Sequence, residues 1–306
     1  MFERTRDNWR MASRRFKRRL ILTGILVVVL FIALTWVLQN WHGEVTPPAE
    51  PLAPVAGEEV RKLEEMGLKE PEDTPGGYAE RFVLDQHFSA IGGVDVLSSI
   101  TSIRIKGKLT FPEGQTQDVI IIKKGGDMVR IAAQTHLSKW VSVVTPKESW
   151  RAIYRMGELA SVEDLEPETV QTMKRHAYVT SELFMALENS WDVKYVGERD
   201  FNYKMAHTFE VQTAPDLLVR FYLDPETYLD IGREDRKMEE DGLVITKHLY
   251  LDHFATNGLK VPSKVETYVN GELRQEFDIE QVEINPGILE SSFKQPPMPE
   301  ASPDEE

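Results

Sequence analysis

The stretch RFYLDPETYLDIGRED, residues 220–235, gathers Asp224, Glu226, Asp230, Glu234 and Asp235 around one proline. Carboxylates this close could form a calcium loop or a general acid and base. An EF-type loop wants oxygen ligands at alternate positions and a glycine at the sixth. Counting from Asp224, Tyr228 stands fifth and Leu229 sixth, so both requirements fail. Strand alternation accounts for the stretch better. Leu217, Val219, Phe221 and Leu223 share one face, and Leu218, Arg220, Tyr222 and Asp224 the other. Pro225 is preset for a turn that begins at Asp224, a position suited to a side-chain acceptor. Leu229 and Ile231 then restart the apolar face. On this reading the acids form the wet tip and outer face of a β-hairpin.

Histidine chemistry is tested the same way. In HLYLDHF, His248 and Asp252 fall on one face of a strand and His253 on the other, so the two histidines do not converge on a metal. No helical H-E-x-x-H, G-x-S-x-G elbow, P-loop or G-x-G-x-x-G occurs in the chain. With no cysteine, disulfides, thiolate metal sites and thiol nucleophiles are excluded. The sequence therefore predicts no catalytic residue, no metal and no cofactor.

The elements around these residues are mostly strands. A helix is expected from Tyr78 to the Gly92-Gly93 pair, which supplies the positive φ of a C-cap. The period then switches to two in SIRIKGKLTF, TQDVIIIKK, DMVRIAAQ, KWVSVVT and SWRAIYR, with glycine-rich turns between. A helical interruption is expected over residues 162–190. Strands resume at VKYVGE and continue to LRQEFDIEQVEI, about twelve in all, with no βαβ rhythm. In the last strand Phe277 and Ile279 keep one phase and Val282 and Ile284 the other, which predicts a bulge near Glu280-Gln281. The fold class expected is mainly β: a curled antiparallel sheet, or half-open β-barrel, with helices as a lid.

Charge divides the chain. The formal net charge is −14, yet residues 1–19 are rich in Arg and Lys. The acidic body excludes nucleic acid, which requires a cationic face. After the basic tail comes LILTGILVVVLFIALTWVL, residues 20–38, bounded by Leu20 and Leu38 and free of charge. At 1.5 Å per residue such a helix spans about 30 Å, the thickness of a hydrocarbon core. It is longer than the apolar core of a signal peptide and lacks a cleavage site, so an uncleaved anchor is expected. The positive-inside rule then makes the N-terminus cytoplasmic and the remainder external, in a bacterial inner membrane with the main domain periplasmic. The expected organisation is a basic tail over 1–19, a transmembrane helix over 20–38, a proline-rich acidic linker over 39–77, one domain over 78–295 and an acidic tail over 296–306.

A curled sheet with a helical lid can enclose an apolar cavity. Trp140, Trp150, Tyr154, Phe209, Phe221 and Leu223 are candidates to line it. Binding there would be driven by apolar area, about 0.8 kcal/mol per buried methylene.

The runs HFSAIGGVDVLSSITSIRIKGKLTF, LYLDHFATNGLKVPSKVETYVNGE and VEINPGILESSF resemble bacterial outer-membrane lipoprotein-sorting and carrier domains, the LolA/LolB-like group. The likeness covers residues 78–297 and rests on the Gly-Gly helix stop, on Gly258, Leu259 and Pro262, and on Asn285-Pro286 followed by Phe293. It implies a half-open barrel whose concave face holds acyl chains, with a lipid or a lipoprotein acyl chain as partner. Arg130 is a loose counterpart of the carriers' strand arginine, whose Arg-Pro motif this chain lacks. The function expected is a membrane-anchored periplasmic binding protein. The alternative is an envelope interaction protein that uses the same fold as a sensor or scaffold.

Overall fold

The computed structural model describes residues 76–239 and 242–297. The expected membrane span, most of the linker and most of the acidic tail lie outside the described residues. Among the described residues no helix is long and apolar enough to cross a membrane.

The first helix, α1 (Gly76–Ile91), buries Val83, Leu84, His87, Phe88 and Ile91, an apolar stripe of helical period carrying one histidine. It stops where the sequence said it would. Gly92 and Gly93 take φ of 143° and 88°, and the Gly93 N–H returns to the Phe88 carbonyl at 2.7 Å. A Cβ on Gly92 would stand 2.6 Å from the Gly258 carbonyl oxygen, so glycine is required for the helix end to touch that turn. A short helix, α2 (Val94–Ser99), follows and was not foreseen.

Six strands come next: β1 (Ser102–Thr110), β2 (Thr116–Lys124), β3 (Met128–Gln134), β4 (Ser138–Val144), β5 (Ser149–Arg155) and β6 (Glu158–Asp164). Two helices, α3 (Pro167–Arg175) and α4 (Glu182–Glu188), interrupt them. Seven more strands complete the chain: β7 (Val193–Phe201), β8 (Lys204–Ala214), β9 (Leu217–Leu223), β10 (Asp230–Glu239), β11 (Gly242–Thr256), β12 (Leu259–Val269) and β13 (Glu272–Ile284). A 3₁₀ turn over Glu290–Phe293 ends the domain. The helical interruption thus begins at Pro167 rather than residue 162, and ELASVED before it is a thirteenth strand. That strand lies at the sheet edge with no residue fully buried, so it carries little apolar alternation to read.

All thirteen strands form one antiparallel sheet in the order β6-β5-β4-β3-β2-β1-β13-β12-β11-β10-β9-β8-β7. Every neighbour is a sequence neighbour except β1 and β13, so the chain's first strand sits in the middle. The sheet is not closed. Its free edges, β6 and β7, are consecutive strands joined through α3 and α4. One face packs against the helices: Met173 and Ala177 lie among Leu109, Val119, Ile131 and Trp140, while Leu183 and Phe184 meet Phe209 and Val219. The sheet curls around them. Lys123 on β2 feels the charges of Glu182 and Arg233, although β2 and β10 stand five strands apart, about 24 Å along a flat sheet.

The bulge foreseen in the last strand is present. Lys106 pairs with Gln281 and Gly107 with Ile279, which leaves Glu280 as the extra residue of β13. Gly107 is required there, because a Cβ would lie 2.2 Å from the Asp278 carbonyl oxygen.

Candidate binding site

The β9–β10 hairpin forms as its sequence implies. Asp224 Oδ1 accepts hydrogen bonds from the N–H groups of Glu226 at 3.0 Å and Thr227 at 2.8 Å, and from the Thr227 hydroxyl at 3.0 Å. These contacts hold the Asp224 carboxyl below its ordinary pKa against the opposing effect of partial burial. Leu217, Val219, Phe221 and Leu223 all face the helices. The expectation that every acid of the stretch faces water fails at Asp230, which lies opposite Leu223 with its Oδ2 3.9 Å from Nε2 of the buried His87, and at Asp235. The ladder shifts register between Asp230 and Gly232, after which Arg233 lies opposite Phe221 on the helix-covered face. Asp235, two residues on, lies on that face too.

Arg233 organises the interior. Its Nε and Nη2 donate to the two Asp235 carboxylate oxygens at 2.5 and 3.0 Å, and its Nη1 donates to Glu182 at the start of α4. The other Glu182 oxygen meets His176 Nδ1 at 3.1 Å. Ser181 caps α4 by accepting the Phe184 N–H at 3.4 Å, which sets Glu182 in the first turn, pointing at the sheet. Burial alone would raise the Glu182 carboxyl, but Arg233, His176 and Lys123 outweigh it and hold the group well below the carboxylate range. Asp235 is likewise depressed by Arg233 in spite of its burial. Burial lowers Lys123, which alternation places on this same face, and pushes His248 down to about 4. His248 sits opposite Arg233 on β11, with its Nδ1 3.1 Å from the Thr267 hydroxyl. A second tie joins lid to sheet, from Glu168 on α3 to Lys237 on β10 at 2.7 Å. Among the described residues no cluster of three or more histidines and carboxylates is arranged to hold a metal.

Two clefts open beside the lid. The first, of about 300 Å³, is walled by Leu97, Ile100, Val179, Phe184 and Met185, with the Gly125-Gly126 turn at its rim. The second, of about 220 Å³, lies between α3, α4 and the β8–β9 hairpin, with Arg233 among its lining residues.

The seven residues singled out from the sequence divide by strand phase. Trp140, Phe209, Phe221 and Leu223 are buried on the helix-covered face. Phe209 and Leu223 are 0% exposed, so they serve as core and line neither cleft. Trp150 and Tyr154 lie on the opposite face, where Ile288 and Phe293 cover that end of the sheet. The Trp150 indole donates to the Phe293 carbonyl at 3.3 Å. Arg130 shares that face by alternation, its guanidinium lowered by burial and raised by Tyr154. The structure therefore does not bring these seven together. Sequence reasoning missed Glu182, Arg233, Asp235 and the residues of both clefts. One signal was available: Arg233 and Asp235 stand two apart in the phase that Leu229 restarts.

No family model matches the sequence, and no curated protein matches it. Solved structures do. A Vibrio parahaemolyticus domain described as an outer membrane lipoprotein-sorting protein domain aligns with 69% of this chain and 94% of its own, at 10% identity and a TM-score of 0.45. A DUF1329 family protein from Desulfovibrio piger covers 70% and 96%, at 10% identity and 0.46. A LolA superfamily protein from Nitrosomonas europaea covers 70% and 97%, at 9% identity and 0.46. The likeness to these structures is one of fold.

Proposed function

We propose that this chain is a non-catalytic binding protein of the bacterial envelope. It is anchored in the inner membrane through residues 20–38 and takes the apolar part of an amphiphile, a lipid or a lipoprotein acyl chain, beside its helical lid. The observation that carries this reading is the cleft of about 300 Å³ walled by Leu97, Ile100, Val179, Phe184 and Met185. Its size is at the lower end of small-molecule sites, about 300–1,000 Å³, and its walls are apolar in the way such sites are. The nearby acids and bases do not argue for chemistry. Glu182 and Asp235 are engaged with Arg233, and neither lines the apolar cleft.

The test is native mass spectrometry of the full chain, purified after expression in a bacterium. Lipid masses that co-purify with the wild type and disappear in Met185→Glu support the reading. The same lipid masses on both proteins would overturn the cleft assignment. A specific observation favours a second reading, an interaction protein that uses the fold as a scaffold. Phe209, Val211, Val219 and Leu223 are 0% exposed beneath the lid, so the protein's own side chains fill that part of the face. A clean apo mass that ignores added amphiphiles is the outcome this second reading expects.

A further inference from the structure

We propose that the second cleft, between α3, α4 and the β8–β9 hairpin, is a phosphate-binding site. Its lining carries three cations, Lys174, Arg175 and Arg233, against a single carboxylate, Glu182. That carboxylate is spoken for by Arg233 and His176. Among the described residues neither Lys174 nor Arg175 is in ion-pair range of a carboxylate, and the one hydrogen bond from the Arg175 guanidinium goes to the Thr172 hydroxyl. The floor adds a directed component. A guanidinium has five N–H groups, and Arg233 commits three of them, one to Glu182 and two to Asp235. One N–H on each terminal nitrogen is left, on a side chain only 7% exposed and fixed in place by two carboxylates. A buried, oriented guanidinium with lysine and arginine at the rim suits a phosphate monoester, which carries more charge than a carboxylate and offers three acceptor oxygens. One wall is apolar: Trp191 stands edge-on to Tyr178 with ring centroids 5.7 Å apart, and Leu217 adjoins them. That wall would cover the carbon skeleton bearing the phosphate.

The phosphate could belong to a lipid headgroup or be free in solution, and the experiment separates the two. The lipid version rests on the amphiphile reading above; the free-anion version does not. The purified full chain is titrated with inorganic phosphate, octyl phosphate and octyl glucoside, and so are K174Q/R175Q and the charge-reversed Lys174→Glu. Lys174 is exposed and Arg175 is half-buried on α3, so near-UV circular dichroism should match the wild type in both variants. Octyl phosphate should bind, and the double substitution should weaken it about tenfold or more, as expected on losing two charge-assisted contacts. Octyl glucoside binding should not change. Tighter binding of octyl phosphate than of inorganic phosphate supports a headgroup; equal binding of the two supports the free anion. Phosphate taken up by the basic residues 1–19 would be insensitive to these substitutions. Octyl phosphate binding that is absent, or identical in wild type and K174Q/R175Q, overturns the proposal. Loss of octyl glucoside binding alone would sink the amphiphile reading and leave the anion site standing.

Discussion

Replacing Glu182 by alanine leaves the Arg233 guanidinium, buried between the curled sheet and its helices, with Asp235 as its one remaining carboxylate. A buried cation that loses one of two anionic partners keeps its desolvation cost and loses part of its compensation, so breaking such pairs typically costs about 3 kcal/mol. Glu182→Ala and Asp235→Ala should each lower the urea midpoint substantially. The double variant should lose more than the sum, because it leaves the guanidinium buried with no carboxylate, whereas each single variant keeps one and also relieves the repulsion between the two acids. A double-mutant cycle from equilibrium urea unfolding measures this. Strictly additive losses would show that the three groups are not one network. The Phe221 ring, 5.7 Å from the Arg233 guanidinium carbon, adds a cation–π contact that neither substitution removes.

At the scale of elements, β1 and β13 show how sequence becomes architecture. Gly107 faces the bulge at Glu280, where its missing side chain admits the Asp278 carbonyl and the Phe277 ring. Gly107→Ala must displace backbone, and a loss of roughly 3 kcal/mol in chemical denaturation is expected; a loss under about 1 kcal/mol would mean that the strands separate easily there. The bulge was legible because apolar phase changes within one strand, and hairpin turns were legible through Asp-Pro and Gly-Gly. The motifs that carry the family resemblance also have visible tasks. Gly92 meets the Gly258 turn, and Asn285 Oδ1 accepts the Thr101 and Ser102 N–H groups at 2.8 and 3.1 Å, closing β13 onto β1. What could not be read were β6, whose edge position removes the burial contrast, and the site itself. The two clefts are assembled from a helical lid and turns distant in sequence, and no local period encodes their meeting. Phase within a strand does not separate Trp150 and Tyr154 from Trp140, which stands on another strand; the register that pairs Trp140 with Ile153 does. An inventory of aromatic residues carries no register, so it mixed the two faces.

For the whole molecule, the curled sheet concentrates titratable groups where water is scarce, and that makes folding stability depend on pH. His248 faces Asp235, Arg233, His176 and Glu182, and its burial lowers it from 6.5 to about 4. Between these values the unfolded chain binds a proton that the folded chain refuses, so folding is favoured as pH rises and weakened as pH falls from 6.5 toward 4. At about 1.4 kcal/mol per unit of pKa, the effect is on the order of 3 kcal/mol. Glu182 and Asp235 act in the next window and with the same sign. Their folded values lie below the usual carboxylate range, so their contribution is present above about pH 4 and disappears as pH falls further. Urea unfolding at pH 7.5, 6.5, 5.5 and 4.5 should show a loss that begins near 6.5, before ordinary carboxylates titrate. His248→Gln keeps a group able to bond to Thr267 and removes its titration, so it should shallow the curve between 6.5 and 4.5, leaving the smaller share of His253, which burial also lowers, and the steeper fall below 4.5. If that variant follows the wild-type curve, the early loss arises elsewhere, and His248 is not held neutral by its burial on the curled sheet.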